Sequence, residues 1–323
     1  GVEALYFFLK EKIKKNFLFF NNIDQNQLKN LEKNNKLDKI LFIVISKSGN
    51  TIETLVNLLA LKIIKKNSKN IIVISKKNNS PLYLLSKKMK FYHIEHKNYI
   101  GGRYSVLSET GVVPGYLMGI NIQQLRKSLL NHFKIYNKKF LKNSSVMLAN
   151  LYNKKQFNNL IFFNYVPQLE KFLYWNQQLI AESLGKKGKG FLPLISSAPK
   201  DHHSLLQLYL DGPRDKLFYI FSVEKKENEK INTKDFDKRL NFLNGKSLGR
   251  IKEAQKEAFI KVLKKKQIPF REFKIQKINE QTIGELFSYF MIETAIVGRL
   301  AKINPFDQPA VEQVKIETKR ILD

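Results

Sequence analysis

Cysteine is absent from all 323 residues, which excludes disulfides and thiolate chemistry. No apolar stretch reaches the roughly 20 residues that a helix needs to cross a bilayer, and no secretory signal opens the chain as it stands. The expectation is a cytoplasmic protein with no membrane partner. The phosphate-binding pattern G-x-x-x-x-G-K-[ST] and the zinc pattern H-E-x-x-H are missing. His, Asp and Glu nowhere fall at metal-ligand spacing, and adjacent His202 and His203 point their side chains apart. There is no short internal repeat and no low-complexity tract beyond a bias toward Lys and Asn. Acidic residues are scarce, with 28 Asp and Glu against 57 Lys and Arg, a formal net charge of +29. Such an excess ordinarily points to nucleic acid. Here the lysines are spread over the whole chain, in "KIIKKNSKN", "SKKMK", "NKKFLKN" and "KKKQ", without a basic tail or an aromatic-studded basic motif. Solvated, mildly anion-attracting faces account for them, and no specific nucleic-acid partner is expected.

What is present is a globular composition. Hydrophobic residues make up 43% of the chain, and the length suffices for two domains with their own cores. Strand-like and helical patterns alternate twice. In the first half "FLFF" (17–20), "KILFIVIS" (39–46), "NIIVIS" (70–75) and "KFYHI" (90–94) read as short strands, separated by helices near 3–15, 25–34, 51–66 and 80–87. Residues 104–133 turn helical, and "NKKFLKNSS" at 137–145 reads as a polar joint. The second half restarts with "NNLIFFNYV" and a helical run to Leu184, followed by "GFLPLIS", "LFYIFSV" and "PFREFKI". Helices are expected near 246–266, 279–301 and 308–322, and the charged segment from Glu224 to Lys246 reads as a surface excursion. This alternation predicts the α/β class, with parallel sheets flanked by helices on both faces. The expected domains are 1–136 and 137–323.

Five polar segments carry chemistry, and ligands of open α/β sheets bind outside the carboxyl ends of the strands. The first segment breaks off the buried run at 39–46 and contains Ser46, Lys47, Ser48, Gly49, Asn50 and Thr51. Asn50 followed by Glu53 resembles a capping box opening the next helix. Gly49 lets a ligand approach the backbone, and the hydroxyls with Lys47 suit a phosphate monoester. An ordinary strand-to-helix turn with a Ser or Asn cap has the same composition. In "GGRYSVLSETG", Gly101 and Gly102 clear space and Arg103 offers a permanently charged fork for an oxyanion; a turn beside a surface arginine is the plainer reading. In "WNQQLIAESLGKKGKG", Gln178 and Glu182 are four apart and share a helix face. Ile180, Ala181 and Leu184 surround Glu182, so a partly desolvated carboxylate there can act as a general base, while pairing with Lys186 is the alternative. In "SSAPKDHHSLLQLYLDG", His202 and His203 sit between a strand and a helix starting near Ser204, suited to proton shuttling or to a structural role. In "INPFDQPAVEQVKIETKRIL", Asn304 or Asp307 can cap a helix carrying Gln308 and Lys315 on one face; alone, Lys315 reads as a solvated lysine.

Taken together and in this order, "SKSGNTIET", "GGRYSVLSETG", "QQLIAESLGKKGKGFLP", "DHHSLLQLYLDGP" and "KINPFDQPAVEQVK" resemble the glucose-6-phosphate isomerase family over essentially the whole chain. The resemblance implies two sugar isomerase domains, each a parallel sheet with helices on both faces, working as a homodimer. It implies that Ser46, Lys47, Ser48 and Thr51 hold the substrate phosphate, with Gln308 as a further contact on that side. Glu182 matches the base that carries a proton between C1 and C2, and Gln178 matches a contact on the same helix. Arg103, with Gly102, matches the group that stabilises the cis-enediolate. His203, chosen over His202 because Gln207 follows it by four, matches a ring-opening histidine supplied by the partner subunit. Lys315 matches the lysine that assists ring opening. The implied reaction interconverts glucose 6-phosphate and fructose 6-phosphate, with mannose 6-phosphate an open possibility at the same site. It needs a base serving two adjacent carbons, a cation beside the oxyanion and an acid/base pair, and no metal or redox cofactor. The phosphate supplies remote binding energy that orients the reacting carbons. An inactive sugar-phosphate-binding regulator is the alternative, but it needs only the phosphate loop, not Glu182, Arg103, His203 and Lys315 together.

Two departures accompany the resemblance. Family members carry a further segment ending in a Gly-Ser-Leu-Gly loop, and "GVEALYFFLK" starts at what matches its last glycine, so a first domain trimmed at its N-terminus is expected. Pro309 and Ala310 stand where the family has Trp-Gly. They lie beside the contact residues and not on them, so the change is expected to be tolerated.

Overall fold

The computed structural model describes residues 1–224 and 229–323. They form two compact units, one of Gly1–Tyr6 and Lys10–Gln123, the other of Phe7–Leu9 and Gln124–Asp323.

The first unit contains α1 (Val2–Phe8), α2 (Gln25–Asn34), β1 (Phe42–Ile45), α3 (Ile52–Ala60), β2 (Ile71–Ser75), α4 (Pro81–Met89), β3 (Tyr92–Glu95) and α5 (Glu109–Met118), and the chain changes unit within α6 (Ile122–Lys127). The three strands pair in parallel in the order β1-β2-β3, with Val44 opposite Val73 and Val73 opposite His93. Runs of branched apolar residues become strands here because helices can cover them: Leu58 of α3 and Leu82 of α4 pack with Ile71, Val73 and Phe91. A second cluster joins Leu28 and Leu31 of α2 to Leu61, with Phe20 against it. "FLFF" at 17–20 is not a strand. Its aromatic rings are used differently, Phe17 and Phe19 lying 5.7 and 5.4 Å from the Tyr6 ring. The first helix likewise stops at Phe8, and only a short 3-10 turn, Lys10–Lys12, continues the stretch expected as helix to 15.

The second unit contains α7 (Ile135–Lys154), β4 (Asn159–Asn164), α8 (Glu170–Leu184), β5 (Leu192–Ser197), the short α9 (Asp201–Ser204) and α10 (Leu206–Asp211), β6 (Lys216–Val223), α11 (Leu248–Lys265), β7 (Phe270–Ile275), α12 (Glu280–Leu300) and α13 (Ala310–Leu322). Its parallel sheet runs β5-β4-β6-β7, so the chain passes from β4 to β5 on one side and then crosses β4 to β6 and β7 on the other, a topological switch at β4. Side chains alternate across β4 and β6. Ile161, Phe163, Phe218 and Ile220 pack with Phe259 and Leu263 of α11. On the other face Phe162 meets Tyr219 and Phe221, and these two meet Phe290, which together with Phe287 also packs on Phe172. Helices thus cover both faces, as the α/β pattern predicts.

The polar run at 137–145 is not a joint but the interior of α7. Its lysines and asparagines hide a helical stripe: Leu141, Ser145, Leu148 and Tyr152 are buried, recurring at steps of four, three and four, and α7 packs on α12. In the charged segment after β6, residues 225–228 lie outside the described residues, and most of 229–246 is exposed around the 3-10 turn Lys238–Leu243. Among the described residues no helix is long and apolar enough to cross a membrane.

Candidate active-site halves

In the first unit two of the expected segments leave the carboxyl ends of β1 and β3. Ser46 is buried, and its hydroxyl lies 2.7 Å from the Thr51 hydroxyl and accepts from the Gly49 N–H at 3.1 Å. Gly49 is required: its φ is +73°, and a Cβ there would fall 2.0 Å from the Ser80 hydroxyl. The Ser48 hydroxyl accepts from the Asn50 N–H at 3.2 Å. The expected Asn50 cap does not form. Thr51 occupies the N-cap position of α3 and makes no side-chain cap bond, because its hydroxyl is turned back to Ser46. A hydroxyl-lined turn therefore meets the positive end of α3, an arrangement that suits an anion.

The charges agree. Burial lowers the Lys47 pKa below the usual lysine value, and the nearby Lys76 and Arg103 cations lower it further. Three cations facing one turn favour a bound anion. Arg103 sits in the 3-10 turn Gly102–Tyr104, is 5% exposed, and stacks 5.5 Å from the Tyr104 ring. A Cβ on Gly102 would meet nothing within 4 Å, whereas one on Gly101 would lie 3.3 Å from the Tyr104 ring, so of the two glycines only Gly102 borders open space beside Arg103.

In the second unit Gln178 donates from Nε2 to Glu182 Oε1 at 2.9 Å, and Glu182 is half-buried near the end of α8. This segment is not at a carboxyl edge. α8 runs back antiparallel to β4, which brings its C-terminus to the amino edge of the sheet, where Gln177 Nε2 donates to the Pro193 carbonyl at 2.6 Å. Lys186, the alternative partner for Glu182, reaches the turn before α13: Nζ lies 2.7 Å from Asp307 Oδ1, and it donates to the Asp307 carbonyl at 2.8 Å and to the Asn304 carbonyl. Asn304 and Asp307 do not cap α13. They close this turn, with Asn304 Nδ2 3.0 Å from Asp307 Oδ2 and the Phe306 N–H donating to Asn304 Oδ1 at 3.0 Å. Gln308 consequently precedes the helix instead of riding on it, half-buried, while Lys315 projects from α13 and pairs with Glu312 at 2.6 Å.

The two histidines lie within α9, not ahead of a helix starting near Ser204. They diverge as expected. His202 stacks on Phe163 at 5.5 Å and meets the Tyr165 hydroxyl at 2.7 Å, and burial lowers its pKa, with His203 adding to the effect. His203 is exposed. Asp201, which the sequence reading did not single out, fixes this corner. It accepts from Ser196 Oγ at 2.9 Å, the Ser197 N–H at 2.7 Å and Ser204 Oγ at 3.0 Å. Burial alone would raise its pKa, but these hydrogen bonds outweigh it and hold the carboxyl below the usual range. α9 follows the carboxyl end of β5, whereas Glu182 lies at the amino edge. The six-residue strand between them spans about 16 Å, so this unit does not bring Glu182 and His203 together. Among the described residues, no three His, Cys, Asp or Glu side chains gather as a metal site.

The phosphoglucose isomerase family matches residues 2–323 of the chain. A glucose-6-phosphate isomerase of Methanocaldococcus jannaschii is 33% identical over 98% of this chain and 79% of its own length. One of Mycoplasmopsis pulmonis is 32% identical over 88% of this chain and 70% of its own length. Among solved structures, a hypothetical protein of Thermus thermophilus superposes with a TM-score of 0.88 at 25% identity, covering 100% of this chain and 82% of that one.

Proposed function

The chain belongs to the phosphoglucose isomerase family, and from that premise we propose that it interconverts glucose 6-phosphate and fructose 6-phosphate in glycolysis and gluconeogenesis, as a cytoplasmic enzyme. The observation that carries this reading is the pairing of a family match along residues 2–323 with a half-buried Glu182 held by Gln178 at 2.9 Å. Glu182 takes the proton from C2 of the open-chain aldose and returns it to C1 while a proton passes from the C2 hydroxyl to the C1 oxygen, so the carbonyl moves from C1 to C2 with the carbon skeleton intact and no net oxidation. Arg103 faces the enediolate oxygen, where a fixed cation stabilises charge that develops in the transition state. Ser46, Lys47, Ser48 and Thr51 hold the phosphate, with Gln308 on the same side, and Gly102 leaves room for the sugar. Lys315 assists ring opening. The active form is a homodimer in which ring opening is carried out by His203 of the partner subunit; the separation of Glu182 and His203 at opposite edges of one sheet supports that division.

An inactive sugar-phosphate-binding regulator is not supported, since it leaves the proton-transfer residues without a purpose. A coupled assay of fructose 6-phosphate conversion tests the choice. Glu182→Gln is expected to lower kcat by at least about a hundredfold while fructose 6-phosphate still protects the protein against heat. Full turnover in that variant would remove Glu182 from the mechanism.

A further inference from the structure

A buried histidine and a carboxylate close the loop that carries Arg103, and nothing in the mechanism above uses them. His96 follows β3, is 1% exposed, and its N–H donates to the Ser75 carbonyl at 2.9 Å, which extends the ladder past the strand. Its ring bridges two partners. Nε2 lies 3.1 Å from the Ile100 carbonyl oxygen, and Nδ1 contacts Oε1 of Glu109, the first residue of α5. A carbonyl oxygen only accepts, so Nε2 carries a hydrogen and donates it. A neutral ring then has a bare lone pair on Nδ1, facing a carboxylate oxygen. One further proton between Nδ1 and Oε1 resolves the conflict, either as imidazolium with carboxylate or as imidazole with carboxylic acid. Both forms tie the ring at its two ends.

Residues 97–108 thus leave and return at one clamp, and that segment contains Gly102 and Arg103. Further bonds run inward from the clamp. Thr110, next to Glu109, donates from Oγ1 to the Ser105 carbonyl at 2.8 Å, and Ser105 Oγ donates to the Gly102 carbonyl at 2.7 Å. The Tyr104 N–H closes the turn on the Gly101 carbonyl at 3.0 Å. We propose that His96 and Glu109 are positioning residues for the isomerase reaction: they clamp the 97–108 loop so that the Arg103 guanidinium stays fixed where the enediolate oxygen develops.

The inference rests on the isomerase reading of the site, and the test separates the two. His96→Phe fills the ring's space and removes both bonds; Glu109→Leu removes one from the other side. Each is expected to lower kcat for fructose 6-phosphate by roughly ten- to a hundredfold with KM changed less than about threefold, the pattern of a group acting on transition-state charge. Glu109→Gln, whose amide can donate to Nδ1 of a neutral ring, is expected to keep kcat within about threefold of the parent. In an Arg103→Ala background, His96→Phe should cause no further loss, because the two act through one group. Hydrogen exchange supplies a readout independent of turnover: the Tyr104 and Ser105 amides should exchange faster in His96→Phe while those of β1 and β2 do not change. Additive losses in the double variant, or unchanged Tyr104 and Ser105 exchange, would overturn the clamp. A parent chain without turnover would defeat the isomerase reading instead, and the exchange experiment would still decide the clamp.

Discussion

At Lys47, burial and two neighbouring cations act in the same direction on one ammonium group. A base whose folded pKa lies below its unfolded value of 10.5 binds protons less readily in the fold. The resulting penalty is fully present at neutral pH and is relieved as pH rises from the folded pKa toward the unfolded one. Lys47→Met is therefore expected to leave the ligand-free protein as stable as the parent or slightly more so, while sharply weakening the rise in Tm that inorganic phosphate produces. For the parent, phosphate affinity should fall on the alkaline side before the pH at which an ordinary lysine discharges. Thermal melts across pH 7 to 10, with and without phosphate, check both statements; a Lys47→Met protein stabilised by phosphate as strongly as the parent would remove Lys47 from the anion site. The same scale shows what a sequence leaves open. His202 and His203 are neighbours of one type, yet one stacks on Phe163 and the other is exposed, a choice made by the rotation of a four-residue helix that Asp201 pins.

The elements were legible wherever hydrophobic periodicity was strong. β2, β4, β6 and β7 fall inside continuous apolar or alternating runs, and α8, α11 and α12 end close to where their patterns end. Where the fold departs from the sequence pattern, tertiary partners override local composition. "FLFF" has strand composition but spends its aromatic rings on Tyr6. The run 137–145 has joint composition but turns Leu141 and Ser145 inward against α12. Asn50 has cap composition, but the Thr51 hydroxyl is taken by Ser46, and the turn pinned by Lys186 shortens the last helix so that Gln308 falls outside it. α12 itself is held by a polar lock that periodicity cannot show. Glu293, 2% exposed, accepts from Arg271 Nη1 at 2.9 Å, from the Tyr289 hydroxyl at 2.9 Å and from the Ser144 hydroxyl at 2.6 Å, which joins β7, α12 and α7. Removing Glu293 strands a half-buried guanidinium. Glu293→Ala is expected to destabilise the fold by about 3–5 kcal/mol, and replacing both Arg271 and Glu293 with Met should recover much of that loss. Urea denaturation midpoints decide it, and a loss below about 1 kcal/mol in Glu293→Ala would show that the lock is not a determinant of stability.

At the scale of the whole molecule, the proposed base Glu182 and the proposed ring-opening His203 lie toward opposite edges of one sheet. In the proposed homodimer each copy would supply Glu182 to one site and His203 to the other across a two-fold axis. That arrangement makes a prediction that no single-chain site shares. Glu182→Gln and His203→Ala proteins are each expected to be nearly inactive. Unfolded together in equal amounts and refolded, half of the dimers are mixed. In a mixed dimer one site inherits both defects and the other inherits neither, so the mixture should regain roughly a quarter of the parent turnover. If Glu182 and His203 of the same chain served one site, every site in the mixture would carry a defect and no turnover would return. The recovered fraction therefore measures the division of the site directly, and it does so without a structure of the dimer, since it depends only on which chain each residue comes from.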